Sequence, residues 1–212
     1  ALGLMGQLRP KPPVGDAATE IKLPRARKHG GLPLLAALAQ RRSSREFAPD
    51  ALPPQLLADL LWAAYGVNRP ADGGRTAPSA LNAQEVDVYA ALPHGAYRYD
   101  AATHTLQLVA GADLRRVTGY QDFVDDAPLD LVYVADHRRL AMVPADQRSL
   151  FAAASAGAIA QNVYLYAASA ALATVIRAWI DRGAIADALG LHPDQQVLLS
   201  QTVGYPPRAR RR

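Results

Sequence analysis

Hydrophobic positions recur most regularly in residues 54–65, where Leu56, Leu57, Leu60, Leu61 and Ala64 repeat at helical spacing behind Pro53 and Pro54, and Gly66 stands as a C-terminal stop. A shorter stretch before it shows the same period: Pro33 suits a first helical turn, and Leu34, Leu35 and Leu38 share one face up to Arg41. Residues 67–84 are rich in Gly, Pro, Asn and Ser and predict a long loop, a length that in a compact domain usually serves function. The pattern then turns extended. Residues 85–91 predict a strand, 97–99 and 105–109 the two arms of a hairpin around 100–104, and 129–136 a largely apolar strand covered on both faces. A short helix is predicted over 113–120, a long one over 146–171, one more from an Asp181 cap to Leu189-Gly190, and a last strand over 196–205. Between 152 and 171 the long helix is apolar on nearly every side, so it should be buried on nearly every side.

Helices and strands interleave around one sheet with a hairpin in its middle and no fixed repeat, which predicts an α+β fold. Residues 1–30 carry four prolines, several charges and no period; they predict an extended arm that lies on something, ahead of a domain over 31–207. The expected resting place of the arm is a partner subunit.

Half of the residues are hydrophobic, which excludes disorder throughout. Cysteine is absent, so thiol nucleophiles, cysteine-zinc sites and disulfides are excluded, and any redox chemistry must come from a cofactor. The net charge is +4, but residues 208–212 alone supply four arginines as a basic tail, leaving the remainder close to neutral and nucleic-acid binding weakly supported. No apolar run reaches the roughly 18 residues of a membrane span. Residues 1–6 are apolar and lack an initiator Met, which fits a trimmed export signal as well as a cut end; cytoplasmic and periplasmic locations both stay open.

Two clusters carry candidate chemistry. Arg41-Arg42-Ser43-Ser44-Arg45 places three guanidinium groups and two hydroxyls at a helix end, a set suited to a phosphate monoester because Arg offers forked donors and Ser a neutral one. The same residues also suit a solvated basic helix end favoured by the macrodipole. Residues 75–85, leading into a strand, combine small residues that let a flat ligand approach the backbone with Ser79, Asn82 and Gln84 for hydrogen bonds at a ring edge.

Taken in order, the Arg-Arg-Ser-x-Arg-x-Phe segment at 41–47, Leu61-Trp62-Ala63-Ala64, Pro78-Ser79-x-x-Asn82-x-Gln84 before a strand, Gln161-Asn162, Thr174-Val175-Ile176 and Val203-Gly204-Tyr205-Pro206 resemble the nitroreductase family over about 34–207. Within it the chain resembles the short members related to azoline dehydrogenases. The resemblance implies a central, mostly antiparallel sheet flanked by helices, an interlocked homodimer, and FMN held non-covalently at the subunit interface. It further implies two-electron transfer in a ping-pong cycle, with NAD(P)H as a transient donor and a small organic acceptor. By position, Arg41, Arg42 and Ser43 would hold the phosphate and ribityl chain, and Arg45 would lie near the pyrimidine edge. Pro78, Ser79, Asn82 and Gln84 would approach from the other subunit. Val175, Ile176 and Arg177 would run along the ring with backbone N–H groups toward it, and Arg208 or Arg210 would complete the phosphate site. No catalytic residue is named by the motifs. Ala80, Glu85, Ala171 and Ala173 depart from the family pattern, the last two standing where glycines are common.

Other chemistries find no support. No G-x-G-x-x-G or G-x-S-x-G occurs, and His29, His94, His104, His137 and His192 never pair at metal-ligand spacing. Tyr89, Tyr97, Tyr99, Tyr164 and Tyr166 include candidate proton donors but suit packing equally. Trp62 is expected in the core, and Trp179 beside the substrate cavity. Two competing readings remain: a flavin-binding protein without turnover, for storage, sensing or assembly of a partner, and a nucleic-acid-associated protein led by the Arg-rich tail.

Overall fold

The computed structural model describes residues 8–207. In chain order the elements are β1 (Glu20–Lys22), α1 (Leu34–Gln40), α2 (Pro54–Tyr65), β2 (Val67–Arg69), β3 (Gly74–Arg75), β4 (Val86–Leu92), β5 (Gly95–Asp100), β6 (Thr105–Ala110), α3 (Phe123–Asp126), β7 (Leu129–Asp136), α4 (Arg148–Ser169), β8 (Ala173–Arg177), α5 (Arg182–Leu189) and β9 (Gln195–Gly204). Seven strands form one antiparallel sheet in the order β1-β6-β5-β4-β7-β9-β8, and β2 and β3 form a separate ribbon inside the expected 67–84 loop. This is the α+β arrangement that the patterning predicts, with the mostly antiparallel sheet that the resemblance implies.

The sheet is covered on both faces because its central strand alternates between two apolar cores. Leu129, Leu131, Tyr133 and Ala135 of β7 join the core under α2 and α4, whereas Val132 and Val134 join Leu114, Val117, Ile185 and Leu189 on the α5 side. The 113–120 helix is only a 3₁₀ turn at Arg115–Thr118, followed by the single-turn α3. Trp62 is half-buried and not in the core: its indole N–H donates to Val67 O at 3.0 Å, and the Lys28 ammonium sits 5.4 Å from the ring centroid.

The described part of the arm lies on its own chain. Lys11 bridges Asp113, Leu108 N donates to Thr19 O, β1 pairs with β6, and Arg27 clasps the buried Asp59 at 2.7 Å. An open sheet edge exposes unpaired backbone groups, and covering the β6 edge satisfies them without a second subunit. The His104 ring adds a clamp, its Nε2 3.0 Å from Pro24 O and its Nδ1 2.8 Å from the Tyr99 hydroxyl.

Helix α4 departs from expectation in one respect. One side packs on α1, α2 and the sheet, but Leu150, Ala153, Ala154, Gly157 and Gln161 form an exposed stripe. On α1, Leu34, Leu35 and Leu38 are 63, 79 and 44% exposed, so the shared leucine face is left largely uncovered in a single chain. Contiguous apolar surface of this kind marks an interaction site.

At its C-terminus α4 ends in a Schellman-type turn, with Leu172 N donating to Ala167 O at 2.8 Å and Ala171 at φ +55°. That is the left-handed region, which explains why glycine is common at this position among family members. Ala171 is exposed, so Ala171→Gly relieves strain without disturbing packing. It is expected to stabilise the chain by about 1 kcal/mol, roughly 2–4 °C in Tm for a domain of this size. Thermal unfolding checks this; a lower Tm for the glycine variant would contradict it.

Candidate functional site

The segment following α1 runs extended alongside the outer edge of β8. Ser44 N donates to Thr174 O at 2.9 Å, and Ala48 bridges Tyr205, so residues 41–48 are stitched to the edge of the sheet. Between this segment and the end of α4 lies a cleft of about 520 Å³, within the usual range for small-molecule sites. Arg41, Arg42 and Ser44 contribute to the lining, as do Tyr164 and Thr174, and Ala167, Ala168, Ala171 and Ala173 supply small side chains beside Leu172 and Pro206. The Arg41 guanidinium stacks 5.2 Å from the Tyr164 ring centroid, and Ser43 Oγ lies 2.8 Å from the Tyr164 hydroxyl. Arg42 and Arg45 are exposed and have no hydrogen-bond or ion-pair partner among the described residues; Arg45 stands just past the cleft lining.

The second predicted cluster sits elsewhere on the same chain. Pro78 and Ser79 line an apolar cavity of about 330 Å³ with Leu150, Phe151 and Ala154, next to the exposed stripe of α4. Ser79 Oγ donates to Glu85 Oε2 at 2.6 Å and accepts from Gln84 N at 2.8 Å. Glu85 is fully buried, and its Oε1 has no partner among the described residues. Asn82 and Gln84 face a polar cavity of about 410 Å³ that also holds Arg75, Asp87, Arg98 and Arg139. Gln84 accepts from Arg75 Nε at 2.9 Å and donates to Gly73 O at 3.0 Å and to Asn82 Oδ1 at 3.2 Å. Leu81, Asn82 and Gln84 adopt φ of 57°, 51° and 49°, an uncommon run of left-handed non-glycine residues of the sort that clusters at ligand sites. Asn162 of α4 anchors the preceding loop, donating to Thr76 O at 3.2 Å.

In a single chain, therefore, the Arg41–Ser44 group and the Pro78–Gln84 group line different cavities. Val175, Ile176 and Arg177 all belong to the edge strand β8, and two of its outward backbone groups are already engaged: Thr174 O by Ser44, and Ile176 N, which donates to the Tyr164 hydroxyl at 3.0 Å. The Arg177 side chain points into the core. It is buried, its Nη2 lies 2.7 Å from Asp130 Oδ1 and 2.7 Å from Thr202 Oγ1, and Nη1 donates to Thr118 O at 3.1 Å. Burial pushes Asp130 up, to about 6, and Arg177 down, each against the attraction of the other. With Thr202 also donating to Asp130, the ionised pair is the form the geometry satisfies. Arg208 and Arg210 lie outside the described residues. Trp179 is exposed, edge-on to Tyr120 at 6.3 Å. Among the described residues, no group of acidic, His or Cys side chains could hold a metal, and no helix is long and apolar enough to cross a membrane.

The order of these elements and of the two segments matches a known pattern. A model of the nitroreductase family aligns with residues 38–205. The chain belongs to the nitroreductase family. A Methanocaldococcus jannaschii protein that bears the nitroreductase name is 31% identical over 172 residues, covering 76% of this chain and 84% of that one. A crystal structure from Ralstonia eutropha, likewise named for a nitroreductase, superposes with a TM-score of 0.93 at 48% identity, covering 98% of this chain and 99% of that one. The NADPH:FMN oxidoreductase of Vibrio harveyi shares the fold at 20% identity, with a TM-score of 0.61 over 82% of this chain and 69% of that one.

Two side chains that matter in the nitroreductase fold here are only weakly marked in the sequence. Tyr164 sits in an alanine-rich helix among other tyrosines, and only its position on the buried side separates it from them. Asp130 was findable: a carboxylate inside an otherwise apolar strand demands a cationic partner.

Proposed function

We propose that this nitroreductase-family oxidoreductase carries FMN in the cleft between Arg41–Ser44 and Ala171–Thr174, works as a homodimer, and passes two electrons between NAD(P)H and a small organic acceptor in a ping-pong cycle. The observation that carries the reading is the pair of unpartnered guanidinium groups, Arg42 and Arg45, on a segment pinned to the sheet edge beside a cleft with an alanine-rich lining. Surface arginines without a carboxylate are ready donors for a phosphate, and small residues admit a flat ring.

FMN, when bound, supplies hydride chemistry that none of these side chains can perform. The chain's own residues do the rest. Arg41, Arg42 and Ser43 hold the phosphate and ribityl chain, and Arg45 stabilises negative charge at the pyrimidine edge. The exposed faces of α1 and α4 support pairing with a second copy, whose Pro78, Ser79, Asn82 and Gln84 would complete the site that one chain leaves divided between cavities. The finer placement, with members related to azoline dehydrogenases, rests on the sequence resemblance.

The test is turnover. Protein reconstituted with FMN is expected to be bleached by NADH or NADPH and reoxidised by a quinone or nitroaromatic. Retention of FMN without reduction by either nucleotide would favour a flavin carrier over an enzyme.

A further inference from the structure

Tyr164 does more than pack. It is buried on α4, yet its hydroxyl touches both segments that frame the cleft: it accepts from Ile176 N at 3.0 Å and shares a 2.8 Å hydrogen bond with Ser43 Oγ, in which either hydroxyl can donate. A phenolic hydroxyl has one proton and two lone pairs, so accepting the Ile176 N–H leaves it the proton and one lone pair, and Ser43 engages one of these. An edge strand presents an outward row of unpaired N–H and C=O groups, which suits it to bind a ring edge. On β8 that outward N–H is closed off by a side chain from the cleft's own lining.

Building on the FMN reading, we propose that Tyr164 is a positioning residue that withholds the Ile176 N–H from the bound ring and so keeps the flavin at low potential. Reduced flavin carries the extra negative charge, so each backbone donor aimed at it favours the reduced form and raises the potential. Engaging the amide with a phenol removes one such donor. A site tuned this way gives electrons away more readily than it takes them, which points to reduction of an acceptor as the favoured direction. The Arg41 guanidinium over the Tyr164 ring and the burial of that ring on α4 fix the phenol so that the amide stays capped.

The experiment compares wild type, Tyr164→Phe and Ser43→Ala by hydrogen exchange of the apoprotein, FMN titration, and spectroelectrochemistry of the FMN-loaded protein. Phe keeps the ring and removes the acceptor. Tyr164→Phe is expected to lose protection at the Ile176 amide. It should still bind FMN and prefer the reduced form at least tenfold more than wild type does, a rise of about 30 mV for a two-electron couple. Ser43→Ala, which leaves the Tyr164–Ile176 bond in place, should bind FMN more weakly at an unchanged potential. An unchanged potential and unchanged Ile176 protection in Tyr164→Phe would overturn the proposal while leaving the FMN reading intact. Folded Tyr164→Phe that no longer binds FMN would also overturn it, because the hydroxyl would then hold the flavin directly. Failure of wild type to bind FMN would remove both.

Discussion

Replacing Arg42 and Arg45 together by alanine is expected to strip the protein of FMN while leaving its stability within about 0.5 kcal/mol of wild type. The reason is an asymmetry in what these side chains touch. Neither has a partner among the described residues, and both are exposed, so the folded chain loses nothing when they are removed. A ligand loses two charge-assisted hydrogen bonds, each worth about 1.5–3 kcal/mol, which together weaken binding by roughly 10²–10⁴-fold. Titration of FMN into the apoprotein reads this directly, with thermal unfolding as the control. Affinity within threefold of wild type would mean that other residues hold the phosphate and the pyrimidine edge. Arg41 is a poorer first choice because its guanidinium also stacks on Tyr164, so its removal mixes packing with binding.

The second large effect is on stability and comes from Arg177. Arg177→Met leaves the Asp130 carboxylate buried, with Thr202 as its remaining donor and Oδ2 unsatisfied; the loss is expected to be about 3–5 kcal/mol. The double variant Arg177→Met with Asp130→Leu should recover most of that, because a buried ion pair replaced whole by apolar residues is often neutral. Denaturant unfolding of the two single variants and the double one decides the matter. Destabilisation of the double variant equal to the sum of the singles would show that the two side chains do not act as a pair. The site has been built around the guanidinium: a side chain on Gly119 would place its Cβ 1.8 Å from Arg177 Nη1, and the Phe123 ring lies 5.7 Å away.

These two arginines show what the sequence could and could not reveal. Arg42 could be singled out because its signal is local: three guanidinium groups and two serines in five residues form a set suited to an anion, and the structure leaves Arg42 exposed beside a cleft. Where the Arg177 side chain goes was not legible in the segment that contains it. Alternation along a strand decides which face a side chain takes, and the register that points it toward Asp130 is fixed by pairing with β9, which local pattern does not encode. The long helices and the strands over 85–136 followed from periodicity, because each buries a broad apolar face. The arm was harder. Glu20–Lys22 make a strand of three residues with no alternation to read, and only the open edge of β6 gives them a reason to be extended. The exposed faces of α1 and α4 are the converse case: the pattern announced burial, and a single chain does not supply the cover.

The proposed function rests on flavin bound at a surface that two copies share. Size-exclusion chromatography of the protein mixed with excess FMN, with scattering for mass and absorbance for flavin read across the same peak, tests this in one run. The account predicts a peak of twice the chain mass that carries one FMN per chain. A colourless monomer peak, with all flavin eluting at the small-molecule volume, would contradict it.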